Sequence, residues 1–368
     1  MAARPDDDSS PGGVREHWQV MVDTGDALPG TTLAATAAKL RAAPWPEDLR
    51  GTPIIIDTDI GGDVDDALAV AAAARQQPRL ALVLTGDETR PPVENGGRAR
   101  FARWLLDTLG RPEVPTVAGA VLGDTEHFCV HDLTPATVPS QPGGAAAVLA
   151  AVAAVCARTD GPVRWVGMAP LSNLAHVLDH APDLAARLRV TQMGGALAYR
   201  CPDRAEHNIR LDVDAARRVM AAVGQGRLAT PRFITSDVTF TPELGITAGH
   251  PIYQALEQAA ATPAAQWAAI LHAHLDRWYA TAYPSTLQHD GLTLSAALGL
   301  PFVTAAGTPV VLDEIGRMST APDGVRLRLS TKADYPAFMT WFAAALDPAT
   351  PAAAASATAR GVGARRPA

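Results

Sequence analysis

Short apolar runs alternate with helical periodicity through most of the chain. The runs PIIID (53–57), LALVLTG (80–86), VPTVAG (114–119) and VRWVGM (163–168) are continuous and short, as expected of strands buried on both faces. Between and after them, VDDALAVAAAARQQ (64–77), NGGRARFARWLLDTLG (95–110), residues 145–157 and LSNLAHVLDH (171–180) carry the spacing of amphipathic or buried helices. The alternation predicts βαβ units and an α/β fold: a mostly parallel, Rossmann-like open sheet with helices on both faces. No repeat period is present. In such sheets ligands gather beyond the carboxyl ends of the strands.

The pattern weakens at both ends. Residues 1–50 are expected to form a partly disordered N-terminal extension with a short helix at TLAATAAKLRAA (32–43), residues 51–346 the α/β domain, and residues 347–368 a disordered Pro/Ala/Gly tail. The polar, acidic start MAARPDDDSSPGG has no basic-then-apolar profile, so a cytoplasmic location is expected. The small-apolar stretch 143–157 is too short for a membrane span and is expected to be a buried helix.

Charge and cysteine content narrow the chemistry. A net charge of −7 without a sustained basic run gives no footing for a nucleic-acid polymer, and points to a small-molecule partner. Cys129, Cys156 and Cys201 match neither a zinc spacing nor a disulfide framework, and are expected to be buried thiols in a reducing compartment.

Five aspartates, Asp57, Asp59, Asp63, Asp65 and Asp66, fall within ten positions at the exit of the first strand. Asp57 and Asp59 share a side in extended chain, Gly61-Gly62 permits a tight turn, and Asp65-Asp66 open a helix whose dipole favours carboxylates. Capping accounts for one or two of them. Two carboxylates about 4 Å apart repel by roughly 4 kcal/mol at an effective dielectric near 20, which a bound cation or partial protonation would remove. Oxygen donors imply a hard ion, Ca²⁺ or Mg²⁺. An EF-hand fails, because Gly61 and Leu68 would fall at its ligand positions. A haloacid-dehalogenase-type phosphatase, which also begins Asp-x-Asp after a strand, stays open on this stretch alone.

A second cluster, His289-Asp290 in LQHDGLTLSAALGLPFV (287–303), joins MAPLSNLAHVL (168–178) and VTQMGGALAYRCPDRAEHNIRLDVDAARRV (190–219). Together with the aspartates, in this order over about residues 52–345, the set resembles the calcium-dependent nucleoside hydrolases, the inosine-uridine preferring type included. The resemblance implies that Asp59, Asp66, Asp290 and the backbone carbonyl of Ser172 hold Ca²⁺, with Asp57 in support. It implies that Asp59 takes the proton of a calcium-bound water, which attacks the N-glycosidic bond of a ribonucleoside or related N-riboside and releases base and ribose. Asp65, Glu206 and Asn208 would grip the ribose hydroxyls, Met193 would pack under the sugar, Asp212 would be structural, and His289 would protonate the departing base. A homodimer or homotetramer is also implied.

Three departures stand out. Asp87 occupies the family's asparagine position after the second strand and is expected in the substrate pocket. His207 replaces an aromatic residue in AEHN, and the loop 123–135 carries His127, His131 and Asp132 without the family's His-Gly pair. A glycosyl-transferring or biosynthetic enzyme on the same fold, or a weakly catalytic ribose-binding relative, are the alternatives these changes leave.

Overall fold

The computed structural model describes residues 11–42, 49, 51–90, 96–125 and 127–353. The chain divides into two compact units, residues 1–50 and 51–368. In the first, helices Pro11–Asp26 and Thr32–Ala42 form a hairpin. Gly25 lies at its crossing, where a Cβ would stand 2.5 Å from the Ala37 methyl, so only glycine lets the helices approach this closely. The second helix is the one expected from TLAATAAKLRAA. The first begins within the stretch expected to be mobile, and residues 1–10 lie outside the described residues.

The second unit is built on a nine-stranded sheet of strands β1 (Ile54–Thr58), β2 (Leu80–Thr89), β3 (Thr116–Thr125), β4 (Val163–Gly167), β5 (Leu188–Met193), β6 (Arg232–Ile234), β9 (Val303–Leu312), β10 (Met318–Thr320) and β11 (Val325–Ala333), while β7 (Gly245–Ile246) and β8 (Thr286–Leu287) pair separately. The order is β10-β9-β11-β6-β5-β4-β1-β2-β3. Pairing is parallel from β11 through β3, and β9 and β10 add an antiparallel edge. The mostly parallel α/β sheet expected from the pattern is therefore present. The chain leaves β1 toward β2 and β3, then returns to β4 on the other side of β1. That reversal makes the β1/β4 boundary the switch point at whose carboxyl end a crevice opens.

Alternation along β1 builds both layers. Ile54 and Ile56 pack with helices Asp65–Gln76, Gly97–Thr108, Gln266–Thr281, His289–Ala297 and Tyr335–Leu346, whereas Ile55 packs with Ala145–Cys156, Ser172–His180 and Val213–Gly224. All three isoleucines are fully buried, each worth about 1.5–3 kcal/mol of apolar burial. This fixes β1 rigidly and so fixes the aspartates at its end. Ala145–Cys156 is a helix as expected but buries only one stripe, Val148, Val152, Val155 and Cys156, because it covers a single face of the sheet. Among the described residues no helix is long and apolar enough to cross a membrane.

The C-terminal segment departs from expectation at its start. Arg75, buried in the first helix of the sheet domain, donates to the carbonyls of Ala345, Asp347 and Thr350 at 2.9, 2.7 and 2.6 Å, and its guanidinium lies 4.5 Å from the Trp267 ring centre. Residues 347–350 are thus held by main-chain contacts that composition does not reveal, and residues 354–368 lie outside the described residues. Arg75→Ala should lower unfolding free energy by about 2 kcal/mol or more in urea denaturation, with earlier proteolysis after Leu346, and Arg75→Lys should recover less than half, since the planar fork is lost.

Candidate active site

The turn leaving β1 is set by glycine. Gly61 has φ +111°, and a Cβ there would meet Phe128 and Val130 at 2.9 Å, so the chain doubles back beneath the loop that follows β3. The Cys129 amide donates to the Gly61 carbonyl at 2.7 Å. Arg98 ties the turn from the other side, donating to the carbonyls of Asp59, Ile60 and His127. Helix Asp65–Gln76 then starts with both aspartates in its first turn, and helix His289–Ala297 starts with His289 and Asp290 in its own. Both helix N-termini thus lie at the acids, where the helix dipole favours negative charge.

Asp65, Asp66 and Asp290, all buried, bring one carboxylate oxygen each to within 4.8 Å of one another. The Asp290 amide donates to Asp65 at 3.4 Å, and the Thr58 hydroxyl donates to Asp66. The Asp290 Oδ1 atom is buried without a hydrogen-bond partner. Burial raises the pKa of all three well above the ordinary carboxylate range, and their mutual charge adds to the rise. Asp59 is pushed up to about 8 by burial and by Glu88, Asp57 to about 8 by burial against the Asn173 hydrogen bond, and Asp63 to about 7 by burial. An all-oxygen donor set, one orphaned buried oxygen and charge that the protein alone does not offset together fit a hard divalent cation.

Asp57 lies beneath this cluster. It accepts from Asn173 Nδ2 at 2.8 Å while its carbonyl accepts from the Met168 and Ala169 amides. Asn173 is itself locked by the Ala120 amide at 2.9 Å, over Gly119, where any Cβ would collide with it. Asp57 is thus held behind the acids and does not line the cavity.

The cluster forms one end of a cavity of about 960 Å³ that Asp59, Asp65, Asp66, Met193, Glu206, Asn208, His289 and Asp290 all line. Glu206 accepts from the Gly195 amide at 2.8 Å and from the Ile209 amide at 3.3 Å, which holds the turn in place. Asn208 donates to the carbonyls of Met168 and Met193 at 2.9 and 3.2 Å, and its Oδ1 is buried without a partner, open to a donor in the cavity. His289 Nδ1 lies 2.6 Å from the Thr239 hydroxyl, and its ring stacks on Phe240 at 6.3 Å. Burial, then the charges of Arg200 and His207, lower its pKa to about 4. An imidazole with so low a pKa is neutral at neutral pH, a poor match to the proton-donor role expected of it.

Two expected site residues are not brought to the cavity. Asp87 accepts from the Gly96 and Thr89 amides at 2.9 and 3.1 Å and pairs with Arg98 at 3.6 Å, so its carboxylate is used by the scaffold. Ser172 is absent from the lining, and its hydroxyl donates to Asp212 at 2.5 Å. Asp212 also caps helix Val213–Gly224 through the Ala215 amide, in keeping with a structural reading.

Sequence reasoning missed Glu88. It lines the cavity beside Asp59 with Oε2 3.1 Å from His207 Nε2, and its Oε1 is buried without a partner. Against burial, the Glu88 hydrogen bond and charge raise His207 to about 9, and together they hold Glu88 below its ordinary range although burial opposes this. The sequence offered one clue, the histidine in AEHN, whose imidazole pairs with Glu88, the neighbour of the Asp87 that was singled out instead. His131 and Asp132 pair on the surface at 2.7 Å as loop residues, while His127 reaches the cavity lining and stands edge-on to Trp278. The three cysteines are free, but only Cys156 is buried; Cys129 is half-buried and Cys201 exposed on the cavity wall, since the loop carrying Cys201 covers no core.

The family model of the inosine-uridine preferring nucleoside hydrolases matches residues 54–340, and the chain belongs to that family. Among its relatives, a pyrimidine-specific ribonucleoside hydrolase RihA from Salmonella agona is 29% identical over 181 residues, 45% of this chain and 56% of the relative. The chain thus spans about half the length of the curated relatives it matches. Among solved structures, a purine-preferring ribonucleoside hydrolase from Gardnerella vaginalis superposes with a TM-score of 0.61 at 23% identity, covering 80% of this chain and 98% of that one. An inosine-uridine preferring nucleoside hydrolase from Bacillus anthracis gives 0.63 at 16%, covering 80% and 99%. At these identities the superpositions establish the shared fold.

The raised carboxylate pKa values carry a sign. Asp57, Asp59 and Asp63 bind protons in the folded chain that they release above their ordinary 3.8 when unfolded, so their contribution to stability is full below that value and is lost as pH rises through 7 to 8. With chelator present, the melting temperature should fall between about pH 6 and pH 9, and added Ca²⁺ should flatten the decline. A pH dependence identical with and without the ion would refute a cation site here.

Proposed function

We propose that the chain is a Ca²⁺-dependent N-ribohydrolase that cleaves the N-glycosidic bond of a ribonucleoside or related N-riboside to free base and ribose. The observation that carries this reading is the convergence of Asp65, Asp66 and Asp290 from opposite ends of the domain, in one cavity with Asp59, Glu206 and Asn208. Asp59, Asp66 and Asp290 would hold the cation, with Asp65 alongside; when bound, it would offset their charge and act as a Lewis acid toward oxygen.

The chemistry asks the chain's own residues for three things. The ribose must be gripped, and Asn208 Oδ1, buried and without a partner, together with Asp65 and the fixed Glu206 carboxylate, offers acceptors for its hydroxyls. A weak nucleophile must be activated, and Asp59 would take a proton from water as its oxygen bonds to the anomeric carbon. The bonding pair of the broken C–N bond then leaves with the base, which takes a proton from solvent in the part of the cavity lined by His289 and Phe240. Met193 would support the sugar from below.

Release of free ribose from a panel of purine and pyrimidine nucleosides, with and without chelator, tests the reading. Hydrolysis should require the divalent ion, and Asp59→Ala should lower kcat by about a hundredfold or more. Full turnover by that variant, or in excess chelator, would remove the assigned chemistry.

A further inference from the structure

The cavity wall carries a feature that a neutral nucleoside does not use. Five arginines line it, Arg90, Arg98, Arg200, Arg204 and Arg210, in a chain whose net charge is −7. Arg98 is committed to Asp87 and the carbonyls of the β1 turn. The other four come from three segments: the exit of β2, the stretch between β5 and Glu206, and the end of the short helix His207–Arg210. Arg200 and Arg204 make no ion pair with any carboxylate among the described residues. Arg200 instead lies on the face of Phe240, 3.2 Å from the ring centre. Asp237, whose charge acts on Arg200, is occupied in accepting from the Leu197 and Ala198 amides at 2.8 Å each. That contact also steadies the segment from which both arginines project.

Resting on the hydrolase reading, we infer that the substrate is a phosphorylated N-riboside, whose phosphate is received by Arg200 and Arg204. Guanidinium forks match phosphate oxygens two at a time. The charge is divided along the cavity: carboxylates crowd the strand ends, and the arginines stand on the loops and the short helix beside them. A phosphate would be repelled from Asp59 and Glu88 and drawn to the arginine side, which orients the riboside with its sugar toward the acids. At about 960 Å³ the cavity has room for the added group.

The test compares uridine and adenosine with their 5′-monophosphates on the Ca²⁺-loaded protein, and titrates ribose, ribose 5-phosphate and inorganic phosphate by calorimetry. The monophosphate should be preferred in kcat/KM by about ten- to a hundredfold. The Arg204→Ala protein should lose most of that preference while its kcat/KM for the unphosphorylated nucleoside is unchanged. Equal or poorer use of the monophosphate by the unaltered protein would overturn the inference and leave the hydrolase reading standing. If neither compound is cleaved, the hydrolase reading fails and binding decides this one: tighter binding of the monophosphate than the nucleoside supports it, equal binding overturns it. Inorganic phosphate binding as tightly as ribose 5-phosphate also overturns it, by marking an anion site unconnected to the sugar.

Discussion

Repulsion among buried carboxylates is the constraint around which this molecule is arranged. Asp59, Asp65, Asp66 and Asp290 share a small volume from which water is largely removed, and each raises the energy of its neighbours' ionised form. Among the described residues no lysine lines the cavity. Arg98 eases Asp59 and Asp66 through space, but its hydrogen bonds go to carbonyls. The scaffold therefore has to hold like charges together by covalent and apolar means. Three buried isoleucines pin the strand, a glycine turn is roofed by the loop after β3, and the Asp290 amide at a helix start donates to Asp65.

The fold was legible because its signals are local. Short apolar runs and helical periodicity gave the first four strands and their helices, closely at Ile54–Thr58 and Ser172–His180, whereas β2 and β3 continue to Thr89 and Thr125, past the ends of their apolar runs. What stayed hidden depends on partners distant in sequence. The order of binding at Arg75 involves carbonyls some 270 positions away, and composition assigns that segment to a loose tail.

The site was legible to the same degree. Residue types and their order identified the acids, and the structure gathers Asp59, Asp65, Asp66 and Asp290 with Glu206 and Asn208 in one cavity. The direction in which a side chain points was not legible at β2. A strand alternates faces, so of Asp87 and Glu88 only one can look into the cavity, and the sequence does not say which. The answer turns on Arg98, which draws Asp87 away and leaves Glu88 to meet His207. A substitution that reads as a change in the ligand pocket is thus a change in the scaffold, accompanied by an imidazole that balances the acid beside it.

The antiparallel edge of the sheet reaches further than its position suggests. The Met318 amide donates to the Tyr199 hydroxyl at 2.6 Å, and the Met318 side chain fills the space in which any Cβ on Gly195 would collide. Strand β10 is in this way a brace for the segment that leaves β5 and carries the cavity's arginines. Peripheral strands of this kind can vary in length and packing without disturbing the central sheet. Divergence at the rim of the fold thereby becomes a route for retuning what the cavity admits, while the acidic floor is conserved in form by a different set of contacts.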